Sequence, residues 1–319
     1  MNQGGKMHMF EIAKKKMPRL YDYYSHLQRV RTIKNIQKVK KLTFEQQLSE
    51  VGRLYKERIG HDLDWNNLKT YTEKMQWEKI YDKNPMKSVL ADKYAVRSWV
   101  EKKIGNEYLI PVIGVWDQFD DIPFDELPNQ FVIKTNHGTG TNVIVKDKSC
   151  FNRKRAKRMF DDWVKMDFGY TTGFELHYSD IKPKIVIEKY LETEYGELQD
   201  YKFICFDGKP YFCWVDMGRY SNHTRNVYDL DWKLQPWKQE RYALYDKPIP
   251  KPKNFEKMIK LAENLADGFS HVRVDLYNVN GTIYFGEMTF TNGSGLDRII
   301  PEEYDFILGN LWNINIDGK

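Results

Sequence analysis

The chain contains no run of the roughly 18 uncharged apolar residues that a membrane-spanning helix needs, although 41% of its 319 residues are apolar. A bundle of spanning helices is excluded on that ground. Its first residues include lysines but not the apolar stretch that follows them in a secretory leader, so export is not expected. Cysteine is scarce. Cys150, Cys205 and Cys213 are an odd number without metal-ligand spacing, a usage that suits reduced thiols and points to the cytoplasm. Internal repeats and low-complexity linkers are also missing. The abundance of apolar residues excludes a disordered polymer, and the length sets an expectation of about two domains.

Acidic residues are what the N-terminal arm lacks. Residues 1–60 hold 14 Lys and Arg against 5 Asp and Glu, whereas the other 259 residues hold 36 against 40. Between Lys14 and Lys41 the single acid is Asp22. Two readings of residues 14–41 stay open. One is attraction to an anionic surface, phospholipid or a phosphate-bearing carrier, which would put the protein peripherally at the inner face of the membrane. The other is a solvated helix face, because Leu27, Val30, Ile33, Ile36, Val39 and Leu42 recur every third position and drift around a 3.6-residue helix. Nucleic acid is not expected as a partner, since a basic arm alone supplies only non-specific phosphate contact and the remainder of the chain is acidic.

Residues 1–85 read as helices. Thr43 and Gln46 form a capping box for a helix over 43–60 that Gly60 ends, and further helices are expected over 72–82, 88–104, 153–168 and 255–266. Strand patterns occupy 131–135, 142–146, 184–191, 201–206, 210–216, 271–278 and 282–290. Strand pairs joined by glycine turns and interspersed with helices argue for an α+β protein with antiparallel sheets.

Four segments carry residues suited to chemistry. In Phe131–Val145 a strand ends at Lys134 and a small-residue turn contains Gly138 and Gly140; backbone amides freed by glycine can close on phosphate oxygens, with the lysine as a point charge. Any hairpin turn can contain the same glycines. In Lys184–Leu191, Glu188 is placed either to orient a nucleobase or to face solvent. Beside the Asp207-Gly208 turn, Asp200 and Lys202 share one strand face and Tyr201, Phe203 and Cys205 the other. The last segment is His271–Phe290. A three-residue turn, Val279-Asn280-Gly281, sets Asp275 opposite Phe285 and Arg273 opposite Glu287. Arg273, Asp275, Glu287 and Thr289 then share one face, and Val274, Leu276, Tyr284, Met288 and Phe290 the other. Two carboxylates on one face suit Mg²⁺ with substrate phosphates; a salt-bridge ladder through Arg273 is the competing reading.

Taken together, the lysine strand with its glycine loop, the Ile-Glu-Lys-Tyr-Leu191 strand end and Arg273-Val-Asp followed by Gly286-Glu287 resemble the ATP-grasp superfamily. Across roughly residues 65–310 the closer resemblance is to the TupA-like ATP-grasp family, associated with bacterial surface polysaccharide synthesis. It is carried by Glu73-Lys-Met-Gln-Trp77, Asp92-Lys-Tyr-Ala-Val-Arg97, Leu127–Lys134, Asp200-Tyr-Lys-Phe203 and Gly286-Glu-Met-Thr-Phe290. The resemblance implies an ATP-grasp core over 86–319 behind the helical segment 1–85. A lysine and glycine-loop subdomain would span about 125–191 and a C-terminal catalytic subdomain about 192–319, the two clasping ATP. It further implies that Lys93, Lys134 and the Gly138/Gly140 loop hold phosphates, that Glu188–Leu191 is the adenine hinge, and that Lys202 is a further nucleotide contact. Asp275 and Glu287 would hold Mg²⁺, with Arg273 near the transferred phosphoryl and Thr289 or Asn292 as the third ligand.

The activity implied is amide formation between a carboxylate, expected to be a sugar acid of a capsule or other surface polysaccharide, and an amine. A kinase acting on a hydroxyl is the first alternative. A metal-dependent glycosyltransferase, suggested by Asp229-Leu-Asp231 and repeated at Asp62-Leu-Asp64, is another. Arg219, Tyr220 and Arg225 are the residues expected to meet an anionic substrate.

Overall fold

The computed structural model describes residues 17–193, 198–218 and 223–314. Five helices come first: α1 (Pro18–Val39), α2 (Phe44–Ile59), α3 (Tyr71–Tyr81), α4 (Met86–Ala91) and α5 (Val96–Lys103). The Thr43/Gln46 capping box opens α2, and Gly60, at φ +105°, closes it. A second box, which sequence reading missed, opens α3 through Thr70 and Glu73. Of the six apolar residues on the drifting stripe only Ile36 is fully buried. Ion pairs supplement that contact: Asp22 with Arg155, Arg29 with Asp162 and Lys40 with Asp167.

The helix expected over 88–104 is instead two. Asp92 Oδ1 accepts hydrogen bonds from the amides of Tyr94 and Ala95, an arrangement that competes with the helix ladder. The break brings Lys93 to the end of the smaller sheet, where its amide donates to the Asn136 carbonyl at 2.9 Å.

A four-stranded antiparallel sheet follows, ordered β1-β4-β2-β3, from β1 (Val112–Trp116), β2 (Phe131–Thr135), β3 (Asn142–Val145) and β4 (Ile185–Lys189). Helix α6 (Arg153–Trp163) packs on it through Phe160 and Trp163 against Phe131, Ile133 and Ile187. A larger antiparallel sheet comprises β5 (Asp200–Phe206), β6 (Lys209–Met217), β7 (Thr224–Asp229), β9 (His271–Val279) and β10 (Thr282–Thr289), ordered β10-β9-β5-β6-β7. A short pair joins β8 (Lys238–Gln239) to β11 (Ile299–Ile300). The strands β1, β7, β8 and β11 lay outside the sequence expectation.

One face of the larger sheet is largely apolar. Phe203, Val274 and Leu276 pack there against Phe255 and Leu265 of α7 (Phe255–Ala266), each large side chain contributing about 1.5–3 kcal/mol by leaving water. The opposite face is divided. At one end Ile204, Phe206 and Trp214 meet Tyr71 of α3 and Leu308 of α8 (Glu303–Leu311). At the other end Asp200, Lys202, Asp216, Arg273 and Asp275 replace the apolar residues. Asp200 and Lys202 do face away from Tyr201, Phe203 and Cys205.

The β9–β10 hairpin differs from expectation in an instructive way. Its turn is two residues long, with Val279 paired to Thr282 and both Asn280 (φ +54°) and Gly281 (φ +97°) left-handed, the type I′ geometry that suits strand twist. That turn alone would have put the two acids on opposite faces. A bulge at Gly286 shifts the ladder back, so Glu287 pairs directly with Asp275 and Thr289 with Arg273. The backbones approach closely there, and a Cβ on Gly286 would lie only 3.0 Å from the Asp275 carbonyl. Before the bulge the faces are exchanged. Phe285 points into the core, and Tyr284, expected there, faces the cleft between the sheets.

His271 lies among Tyr71, Phe206 and Trp312. Burial is the main influence holding its imidazole down at about 3, against an ordinary 6.5. The folded residue therefore stays neutral while the unfolded one takes up a proton, and its contribution to stability is lost as pH falls from 6.5 toward 3. His271→Gln, which cannot titrate, should show a shallower decline of unfolding free energy between pH 8 and pH 5, by about 2 kcal/mol. Urea denaturation of both proteins measures this. Parallel curves would contradict a neutral buried His271.

Candidate functional site

The polar end of the larger sheet is a row of alternating charge. Arg273 donates from Nε and Nη2 to the two carboxylate oxygens of Asp275, each at 2.7 Å, and from Nη2 to Glu287 Oε1 at 2.9 Å. Its Nη1 donates to Asn292 Oδ1. Lys202 Nζ donates to Asp275 and, at 2.5 Å, to Asp200. Asp216 lies 3.9 Å from Lys202 and takes two bonds from Arg225, at 2.5 and 2.7 Å. The Arg225 guanidinium stacks on Trp214 and Tyr242.

Burial and pairing oppose each other along this row. At Asp275 burial dominates and pushes the carboxyl up, against the pull of Arg273 and Lys202. At Asp216 burial also raises the carboxyl, but Arg225 and His223 outweigh it and hold it well below the usual range. The two hairpin acids are unequal, with side chains 2% exposed at Asp275 and 31% at Glu287.

The smaller sheet faces this row with basic residues. Lys134 Nζ meets Glu188 Oε2 at 2.6 Å, and Arg97 lies 3.9 Å from the same carboxylate. Glu188 is buried, not turned to solvent. Lys93 ties the two sheets together: Nζ donates to the Gly138 carbonyl at 2.5 Å and stands 3.9 Å from Glu287 Oε2. The glycine turn is braced at its base, where Thr135 Oγ1 meets Thr141 Oγ1 at 2.7 Å and Asn136 Nδ2 donates to Asp92 at 2.8 Å. Gly138, at φ +79°, lies flat against Phe168, whose ring a Cβ would strike at 2.3 Å. Gly140 is exposed at the tip. Beside the strand end runs a cavity of about 340 Å³, lined by Arg97, Leu109, Pro111, Lys189, Leu191 and Tyr284.

The fold thus gathers Lys93, Lys134, Gly138, Glu188 and Leu191 on one side of the cleft, and Lys202, Arg273, Asp275 and Glu287 on the other. Arg219 and Tyr220 lie outside the described residues. Arg225, expected to meet an anionic substrate, is instead buried in β7 and paired with Asp216. Asp229, the first acid of the Asp229-Leu-Asp231 motif, is held in a turn: Oδ1 accepts from the amides of Asp231 and Lys233, and Oδ2 from Gln235. Sequence reading missed Arg97 as a partner of Glu188, although it sits in the Asp92–Arg97 segment, and missed Tyr284 because the bulge was not foreseen.

Among the described residues no three His, Cys, Asp or Glu side chains form a metal cluster. A directly opposed Asp275–Glu287 pair of hard oxygens nevertheless fits Mg²⁺, which completes its shell with phosphate oxygens and water and does not need a full protein cage.

A family model described as TupA-like ATPgrasp matches residues 73–313. No curated protein matches the chain. Among solved structures, D-alanine–D-alanine ligase from Bacillus anthracis is similar at 19% identity and a TM-score of 0.37, covering 64% of this chain and 59% of that one. The same enzyme from Helicobacter pylori gives 11%, 0.35, 70% and 62%. Phosphoribosylamine–glycine ligase from Thermotoga maritima gives 12%, 0.39, 66% and 52%. The chain spans less than two thirds of the length of each.

The unequal burial of the hairpin acids separates two variants. Asp275→Asn strands Arg273 and Lys202 in the interior and should cost about 3–5 kcal/mol. Glu287→Gln removes a partly exposed partner and should cost no more than about 1 kcal/mol. Urea unfolding of the nucleotide-free proteins reads both, and equal losses would contradict the arrangement.

Proposed function

The chain belongs to the TupA-like ATP-grasp family, and from that premise we propose that it is an ATP-dependent carboxylate–amine ligase working through an acyl phosphate with Mg²⁺. The observation that carries the reading is the cleft itself, with lysines on one wall and an opposed carboxylate pair bridged by arginine on the other.

A carboxylate resists amines because its leaving group would be oxide. Moving the terminal phosphoryl of ATP onto it substitutes phosphate. Little covalent chemistry is then asked of the protein; positioning and charge neutralisation carry the rate. Lys93 and Lys134 supply cations to the phosphates, and the Gly138/Gly140 loop closes over them. The slot between Leu191 and Tyr284 takes the base, with backbone groups of Glu188–Leu191 along its edge. Asp275 and Glu287 would hold Mg²⁺, whose contribution is to neutralise phosphate charge and fix its geometry. Arg273 steers the migrating phosphoryl. Lys202, 2% exposed and committed to two acids, acts at one remove by fixing Asp275. The acceptor class we assign is a sugar acid of a surface polysaccharide, joined to an amino acid or another amine.

ADP release measured across sugar acids and amines, with hydroxylamine as a trap and masses taken of the products, tests this reading. A hydroxamate is the expected product. A stable phosphoester would make the protein a kinase, and sugar transfer without ATP would contradict the reading outright.

The arm serves location. Arg31, Lys34, Lys38 and Lys41 form an exposed stripe on and just beyond α1, and among the described residues no helix is long and apolar enough to cross a membrane. Each cation near an anionic bilayer contributes about 1 kcal/mol. Changing all four to Gln should abolish sedimentation with phosphatidylserine vesicles at low salt and leave ADP release unchanged. Retained sedimentation would contradict the assignment.

A further inference from the structure

We propose that Glu175 accepts the proton of the incoming amine, which approaches the acyl phosphate from the side of the helical segment. The proposal rests on the ligase reading and adds the amine-side residue that reading leaves unassigned.

Glu175 is held in place by its neighbours. Gly173 and Phe174 are both left-handed, at φ +68° and +63°, a conformation that costs an aromatic residue about 1–3 kcal/mol. It persists because the Phe174 ring is buried with Val51 of α2 and Ile80 of α3. The next side chain is thereby fixed beside the segment that leaves β10, where Thr291 Oγ1 donates to Glu175 Oε1. The following residue, Asn292, accepts from Arg273, which in turn reaches Glu287 at 2.9 Å. Glu175 is half-buried, and Thr291 and Asn292 connect it to the Arg273–Glu287 end of the charged row.

The charged group facing it from α3 is Lys79. This side chain is buried, and its Nζ donates to the Ser294 carbonyl at 2.8 Å and hydroxyl at 3.1 Å. On its own loop the neighbours are His177, kept neutral by burial at about 3, and Tyr178, whose phenol burial and Glu175 push up. Burial raises Glu175 to about 7 against the pull of Thr291 and Lys79, and lowers Lys79 to about 7. A carboxylate in that range exchanges protons at neutral pH, as a general base must.

An ammonium proton moves to the Glu175 carboxylate, and the freed nitrogen lone pair forms the C–N bond to the acyl carbon. The C–O bond to phosphate breaks with its electron pair leaving on phosphate, and the second nitrogen proton passes to phosphate or water.

The test compares two nucleophiles with full-length wild type and Glu175→Gln, using D-glucuronate as the carboxylate probe. Glycine is an ammonium at neutral pH and needs a base; hydroxylamine is already neutral and does not. The variant should lose about 100-fold with glycine, an effect shrinking as pH rises, and stay within about twofold with hydroxylamine. Equal losses, or none, would overturn the proposal. No turnover by wild type with either nucleophile would instead count against the ligase reading. Titration of the full chain labelled with 13C at glutamate carboxyls decides for Glu175 in either case. The resonance missing from Glu175→Gln should have its midpoint near 7, and a midpoint in the ordinary carboxylate range would overturn the assignment.

Discussion

One guanidinium, that of Arg273, sits between two carboxylates at the buried polar end of a sheet face. Charges are not tolerated in such a place singly, because each unpaired ion costs several kcal/mol. Arg273 therefore requires Asp275, and Asp275 requires Lys202. Lys202 in turn balances Asp200 and Asp216, and the row ends where Arg225 stacks on Trp214 and Tyr242. Little of this favours stability over an apolar equivalent. In the proposed ligase it is a set of charges that phosphate and a divalent cation would take over. Glu287, the most exposed member, is the place where that exchange would begin.

Two local irregularities deliver the partners to this row. The Gly286 bulge corrects a register that the two-residue turn would have misset, and so brings Glu287 opposite Asp275. The Asp92 side chain interrupts a helix and so frees Lys93 to reach the glycine loop and approach Glu287. Helix α3 supports the far side, holding the left-handed turn at Gly293–Gly295 through Gln76 and Lys79. A helical segment thus buttresses the larger sheet directly.

Much of this was legible in the order of the residues. Alternation along 200–206 told the charged face of β5 from the apolar one, and the 43–46 box announced α2, because those signals are local. What escaped depends on contacts between distant segments. β7 carries Arg225 and Asn226 in its interior, which reads as loop until Asp216 and Tyr245 are seen to satisfy them. The bulge was hidden although Gly286 stood in view, since a strand glycine signals a bulge only when the partner strand is known. Glu175 carried no motif at all; its environment comes from α3, β10 and its own loop together.

In the proposed ligase Asp275 and Glu287 exchange Arg273 for a metal when nucleotide binds. A crystal structure of the full chain with Mg²⁺ and a non-hydrolysable ATP analogue tests this directly. Oxygens of both acids should lie about 2.0–2.1 Å from the ion, with Lys93 and Lys134 on the phosphates and the base against Tyr284. A nucleotide seated elsewhere, or both acids still bound to Arg273 with no metal between them, would contradict it.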